Sequence, residues 1–299
     1  MIGAGRSGTT VISEAISAHE SVAWFPNYMN FFPAFTLGCF FIRFLDLPGI
    51  GFHLRGKKKQ DKRWISLLRK CLPHIVEAYP VWQRHCGEKI RYDYLLGKSA
   101  THEEQRTINR IIRNIIQLQG KSRFIAKFTG PPRICYLNSI FNDAFFIHII
   151  RDPRAVVRSL LNVAFWKKGG GLKKFWWKNG PEIDDVELLT PSKLLPLKLA
   201  AVQWKNVIEV TWQESKLIEN NRYIEINYED YVRDPHRVIS DLLTKVELPQ
   251  SKNVHRYLNW IGSPSDMNFK FKESFSSTEI DAIKRITEKT ARKAGYLLE

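Results

Sequence analysis

The spacing of apolar and polar residues predicts alternating strands and helices from the start of the chain. Met1 and Ile2 read as the stub of a buried strand, shorter than such strands usually are, so the chain is expected to begin late within it. TTVISEAISAH, from Thr9 to His19, has helical spacing, and SVAWF is a short second strand. Later, RFIAK (Arg123 to Lys127) and FFIHII (Phe145 to Ile150) read as buried strands from their compact, partly β-branched apolar runs. PPRICYLNSIF and RDPRAVVRSLLNVAFW read as helices opened by proline. RYIEINYED is a further strand that runs into a helix around DPHRVISDLLTKV. Long helices are expected over residues 193–219 and 277–293. Strand, helix, strand, helix is the rhythm of a parallel sheet with helices on both faces.

Residues 30–120 break that rhythm and read as mainly helical. HEEQRTINRIIRNIIQLQG has the clearest boundaries: Thr101 as N-cap, Glu104 three residues on, and Gly120 as the stop. WISLLRKCLPHIVEAYPVW has helical spacing as far as Pro80. Between Phe31 and Phe52 lies the most apolar stretch, interrupted by Pro33, Arg43, Asp46 and Pro48. Its unbroken run is too short to span a bilayer, so it reads as a buried or interfacial helix or, more sharply, as a lipid-facing lid. No repeat or clean boundary divides the chain. The expectation is one α/β domain over residues 1–299, a central parallel sheet flanked by helices, with a helical insertion at about 30–120.

Composition narrows the function classes. A 44% hydrophobic share supports a packed core and excludes a disordered chain. The net charge of +16 favours anionic partners: nucleic acid, an acidic glycan, phospholipid or a charged cofactor. Cys39, Cys71, Cys86 and Cys135 are scattered, with no C-x-x-C pair, so neither a zinc site nor a disulfide framework is indicated. No signal peptide and no N-x-S/T sequon occur, and a cytoplasmic location is expected.

The candidate chemistry starts at GAGRSGTT. A nucleotide-triphosphate loop reads G-x-x-x-x-G-K-S/T; Thr9 stands in the lysine position here. A glycine turn between strand and helix still offers amide donors and the positive end of a helix dipole. Arg6 adds a guanidinium, and Ser7, Thr9 and Thr10 add hydroxyls. The missing lysine normally reaches a γ-phosphate, so the expected ligand has none, and no Walker-B carboxylate calls for a metal. The second element is HIIRDPRAVVRSLL. Arg151 falls at the carboxyl end of a parallel strand, where ligands of open α/β sheets bind, and Ser159 lies about two turns along the next helix. Asp152 and Pro153 are suited to N-cap and first helical position.

GAGRSGTT near the start and a strand ending in RDPRAVVRS together resemble the sulfotransferases that use 3′-phosphoadenosine 5′-phosphosulfate (PAPS). INYEDYVRDP is similar to a strand-to-helix segment of the same family. The resemblance spans about residues 1–28 and 121–248, and the RSGTT form is closer to bacterial and tyrosylprotein-type members. It implies a P-loop-like fold, and PAPS held by Gly5, Arg6, Ser7, Gly8, Thr9 and Thr10 at the phosphosulfate and by Arg151 and Ser159 at the 3′-phosphate. No metal is implied. It further implies transfer of a sulfuryl group to a hydroxyl or amine acceptor, a glycan among the candidates, with Arg6 and Lys127 as catalytic cations.

The general base departs from the family. Asn27 occupies the position of a glutamate in related enzymes, and Thr129 that of a histidine in others. Glu77, a lone carboxylate in an apolar stretch, is the leading replacement, ahead of His53 and Glu14. The loop VAFWKKGGGLKKFWWKNGP, from Val163 to Pro181, reads equally as a mobile lid over the site or as a solvated loop with buried tryptophans. The competing readings are a P-loop kinase-like phosphotransferase, in which the RDPR element has no task, and a basic nucleic-acid-binding protein, which calls for a cation stripe with stacking aromatics and no phosphate loop. The expected partners are a nucleotide donor and a hydroxylated acceptor, with membrane contact left open and oligomeric state unassigned.

Overall fold

The computed structural model describes residues 1–46, 72–181, 191–262 and 266–298. Four short parallel strands form the central sheet in the order β4–β1–β5–β6: β1 is Ile2–Gly3, β4 Phe128–Thr129, β5 Phe146–Ile150 and β6 Tyr223–Asn227. Ile2 lies between Phe128 and His148, and Ile150 pairs with Asn227. A second parallel pair joins β2 (Val22–Trp24) to β3 (Arg123–Ile125). RFIAK therefore does not continue as one strand: the chain leaves β2 after Ile125 and takes up β1 at Phe128, with Lys127 in the step between.

Alternation of side chains along the strands sorts the core. Ile147 and Ile149 of β5 join Ile224 and Ile226 of β6 against helices α1 (Thr9–Ser17), α10 (Pro235–Lys245) and α11 (Lys252–Ile261). Ile150 packs with Val156 and Val157 of α6 (Pro153–Leu161), with Trp204 and Val207 of α8 (Leu195–Ser215) and with Ile283 of α12 (Ser277–Lys293). The helices thus flank the sheet, as the periodicity predicted.

The expected capping box is present. Helix α4 (His102–Gln119) starts with Thr101 Oγ1 accepting from Glu104 N and ends at Gly120 in the left-handed conformation. Its last residue, Gln119, fixes it to the sheet: the amide accepts from Trp24 N at 3.2 Å and donates to Trp24 O at 2.7 Å. Ile108, Ile112 and Ile115 bury the inner face against Trp82 of α2 (Tyr79–Cys86) and Tyr136 of α5 (Ile134–Ile140). A short helix α3, Lys89–Tyr92, follows α2.

Three expectations change. Residues 72–78 are not helical; Ile75 bridges Pro26, and the helix begins at Tyr79 with Pro80 in its first turn. Proline fits there because its missing N–H would have no helical partner. The helix opened by Pro153 stops at Leu161, and a separate short helix, α7 (Ala164–Lys168), carries Trp166. The stretch expected as a buried or interfacial helix forms, between Phe31 and Asp46, a ten-residue 3₁₀ helix, Leu37–Asp46, that keeps Phe40, Phe41 and Phe44 exposed. Cys39, Cys86 and Cys135 are free. His53 and the rest of the apolar stretch lie outside the described residues.

Candidate active site

The glycine loop forms a tight turn between β1 and α1, closed by Ser7 N donating to Ala4 O at 3.1 Å. Arg6 and Gly8 are both left-handed, at φ 75° and 94°. Gly8 occupies the N-cap without a side-chain cap, and no acidic residue sits in the first turn of α1. The first amides and the dipole of α1 are therefore presented to whatever sits over the loop. Ser7 Oγ is buried without a hydrogen-bond partner among the described residues.

Arg151 follows β5 directly and lies 4.4 Å from the ring centroid of Tyr228, which begins the short helix α9 (Tyr228–Arg233). That ring also touches the loop, since a Cβ on Gly8 would sit 2.2 Å from Tyr228 Cδ2. Arg151 Nη1 donates to Arg6 O at 3.1 Å, and its Nε donates to Asn268 Oδ1 at 2.9 Å. Asn268 is held in turn: its Nδ2 donates to Glu229 Oε1, which also accepts from Asp152 N, while Tyr296 donates to Glu229 Oε2. Asp152 caps α6 through Arg154 N.

Arg6 reaches across to the same cluster. Its Nε donates to Ser159 Oγ at 2.9 Å. Its guanidinium therefore lies with Arg151 and Ser159, on the side assigned by resemblance to a 3′-phosphate. Loss of solvent and, second, the like charge of Arg151 hold the Arg6 pKa below the ordinary arginine value. No carboxylate among the described residues pairs with either guanidinium. Two adjacent cations, an uncapped helix terminus and a buried unsatisfied serine hydroxyl are the complement of a multiply charged anion, so these residues fit a phosphate-bearing donor.

The other edge of the loop carries the second group. Lys127 Nζ lies 3.1 Å from Thr10 Oγ1 and 3.9 Å from Glu77 Oε1. Glu77 Oε1 accepts from Thr129 Oγ1 at 2.5 Å. Val76 N donates to Phe25 O at 3.0 Å, so the Glu77 segment runs beside the end of β2, where Asn27 begins a 3₁₀ turn. Glu77 thus joins Lys127 and Thr129. Glu14, by contrast, meets Tyr257 Oη of α11 at 3.5 Å.

The tryptophan loop is pinned over this edge. Trp166 is fully buried, and Trp176 and Trp177 stack at 5.8 Å and 17°. A Cβ on Gly130, directly after Thr129, would lie 2.3 Å from the Trp177 ring. Lys178 is tied on both sides, its N–H donating to Tyr92 O and its carbonyl accepting from Tyr94 N. Buried Arg133 holds that strip by donating to Arg91 O and Asp93 O.

Sequence reasoning gave no role to Tyr228, Glu229 or Asn268. The tyrosine and glutamate fall within the INYED segment already noted, whereas nothing local marks Asn268. Among the described residues no cluster of ligating side chains could hold a metal ion, and no helix is long and apolar enough to cross a membrane.

Three solved structures share the fold. The sulfotransferase STF9 from Mycobacterium avium superposes with a TM-score of 0.60 at 16% identity, covering 98% of this chain and 76% of that one. The sulfotransferase domain of the Synechococcus PCC 7002 olefin synthase gives 0.54 at 16% identity, covering 100% and 94%. The sulfotransferase domain from the curacin biosynthetic pathway gives 0.52 at 15% identity, covering 100% and 97%. No curated protein sequence is significantly similar to the chain. The sulfotransferase family model matches residues 98–252, just over half of the chain and inclusive of Lys127, Arg151 and Ser159, and the chain therefore belongs to the sulfotransferase family.

Proposed function

We propose that the protein is a PAPS-dependent sulfotransferase acting on a hydroxyl or amine acceptor without a metal. The observation that carries this reading is the junction of Arg6, Arg151 and Ser159: an Nε to Oγ bond of 2.9 Å and an Nη1 to carbonyl bond of 3.1 Å join two unpaired guanidiniums beside an uncapped helix. When bound, the donor supplies an activated sulfuryl group on a phosphate leaving group.

The amides of the loop, Ser7 Oγ and the hydroxyls of Thr9 and Thr10 would hold the 5′ end. Arg151 and Ser159 would hold the 3′-phosphate, with Tyr228 and Asn268 fixing the guanidinium. Arg6 is exposed and is bonded at its side-chain end only to Ser159 among the described residues, so it can turn toward negative charge that builds on the leaving oxygen. Lys127, anchored on Thr10, places a second cation at the sulfuryl end.

Glu77 is the base in this reading. Its carboxylate is partly accessible, lies 3.9 Å from Lys127 and runs beside the Asn27 position where relatives carry a carboxylate. It would accept the acceptor's proton, and Asn27 would orient the acceptor. Positioning and charge stabilisation supply the rest of the rate. The test is a transfer assay with sulfur-labelled PAPS across phenols, glycans, peptides and lipid alcohols, in EDTA. Label on one acceptor class supports the reading. Label on none, with the donor left intact, contradicts it.

A further inference from the structure

Between Phe31 and Phe44 the chain exposes side chains that the site does not use. Phe31, Phe32, Phe35, Leu37, Phe41 and Phe44 are 48% to 79% exposed. The 3₁₀ helix beneath buries Cys39, Ile42 and Leu45 inward and leaves its aromatic residues outward. The segment is tied down: Arg43 donates to Leu118 O and Gln117 O at 2.7 and 2.8 Å, Asn114 donates to Thr36 Oγ1, and Lys121 pairs with Asp46. A contiguous apolar ridge held outward on a fixed frame marks an interaction surface.

The same segment forms one wall of a basic cavity. Pro33, Ala34 and Thr36 line a cavity of about 860 Å³ whose other lining includes Arg84, His85, Arg106, Arg110 and Arg113. Among the described residues no acidic side chain lines it. Arg106, Arg110 and Arg113 recur at four and three residues along α4, spacing at which like charges destabilise a helix. None of the four arginines has an ion-pair partner among the described residues. Loss of solvent, then the charges of Arg84 and Arg110, also depress the His85 pKa.

We propose that this ridge and cavity form one peripheral docking face for an anionic phospholipid bilayer, the phenylalanines entering the acyl boundary and the arginines taking lipid phosphates. The apolar ridge beside an arginine-lined cavity selects this occupant. A second copy would cover the ridge but set its arginines against their own kind. Residues 47–71 of the chain carry Arg55, Lys57, Lys58, Lys59, Lys62, Arg63, Arg69 and Lys70 against Asp61, a cationic excess that is no complement to the arginines. A soluble polyanion would use the arginines and leave the ridge in water.

The test is flotation of the full chain, without donor, with phosphatidylcholine vesicles that contain or lack phosphatidylserine. Two variants change only exposed residues: Phe31→Ser/Phe32→Ser/Phe41→Ser and Arg106→Glu/Arg110→Glu/Arg113→Glu. The expected result is binding to phosphatidylserine vesicles only, reduced at least about tenfold in each variant, since one basic residue near such a surface contributes roughly 1 kcal/mol, or about fivefold. The arginine contribution should fall with added salt. No flotation, or undiminished flotation of the ridge variant, overturns the proposal. So does a dimer in light scattering that the ridge variant abolishes, or oligonucleotide or sulfated-glycan binding by a chain that ignores the vesicles. Both variants should bind adenosine 3′,5′-bisphosphate as the parent does, so this outcome is independent of the catalytic reading.

Discussion

Gly8 is where backbone conformation, packing and ligand binding meet, and Gly8→Ala separates them. The residue sits at φ 94°, which costs an L-residue about 1–2 kcal/mol. Its new Cβ would also lie 2.2 Å from Tyr228 Cδ2 and 2.5 Å from Cε2, far inside carbon contact distance. Relieving such overpacking costs about 1–3 kcal/mol more, for a total of about 2–5 kcal/mol. Gly97 is the control: its φ is 62°, yet a Cβ there meets nothing within 4 Å, so Gly97→Ala carries the backbone cost alone. Urea denaturation of both variants should show Gly8→Ala the less stable by the collision energy. The Tyr228 ring carries Arg151 at 4.4 Å, so displacing it should also weaken adenosine 3′,5′-bisphosphate binding in calorimetry, whereas Gly97→Ala should not. Adding Tyr228→Ala to Gly8→Ala should restore the collision part, a coupling of about 1–3 kcal/mol. Equal destabilisation by the two glycine variants, with no coupling to Tyr228, refutes the reasoning.

With Glu77 as the proposed base, Glu77→Gln should lower turnover strongly while sparing donor affinity; unchanged kcat removes it from that role. Arg151→Ala removes a charge-assisted contact worth about 1.5–3 kcal/mol and should weaken adenosine 3′,5′-bisphosphate far more than adenosine 5′-phosphosulfate, with equal losses counting against the 3′-phosphate assignment. His148 lies buried in β5, where burial pushes its pKa from 6.5 down to about 3. Its Nδ1 is bonded to the Tyr223 hydroxyl and its Nε2 has no partner among the described residues. The unfolded chain therefore binds this proton first as pH falls. The neutral imidazole's stability is complete above about pH 6.5 and is lost toward pH 3, at up to about 1.4 kcal/mol per pH unit. Denaturation curves of His148→Leu should show a shallower acid slope than the parent; identical slopes exclude the effect.

Local chemistry made much of this legible. The Thr101–Glu104 box, the Gly120 stop and the Asp152 cap are written in adjacent residues, and each fixes a helix end where the sequence placed it. The central strand needed only its apolar run. What escaped depends on distant partners. The break in RFIAK follows from a change of neighbour between Ile125 and Phe128, which no local pattern records. Glu77 sits in an extended segment because Ile75 pairs with Pro26, against helical spacing. The phenylalanines of 31–44 have the composition of a core and lie outside it, because Cys39, Ile42 and Leu45 already fill the inward face. At the site, the loop and the RDPR strand end were readable, whereas Asn268 reaches Arg151 across 117 positions.

The central claim is that the loop and Arg151 together recognise a nucleotide carrying both 5′ and 3′ phosphates, without a metal. Titration calorimetry with adenosine 3′,5′-bisphosphate in EDTA tests it most directly. The expected result is tight binding that Arg151→Ala weakens by about tenfold or more. Failure to bind it, with ATP binding only in the presence of Mg²⁺, would contradict the account.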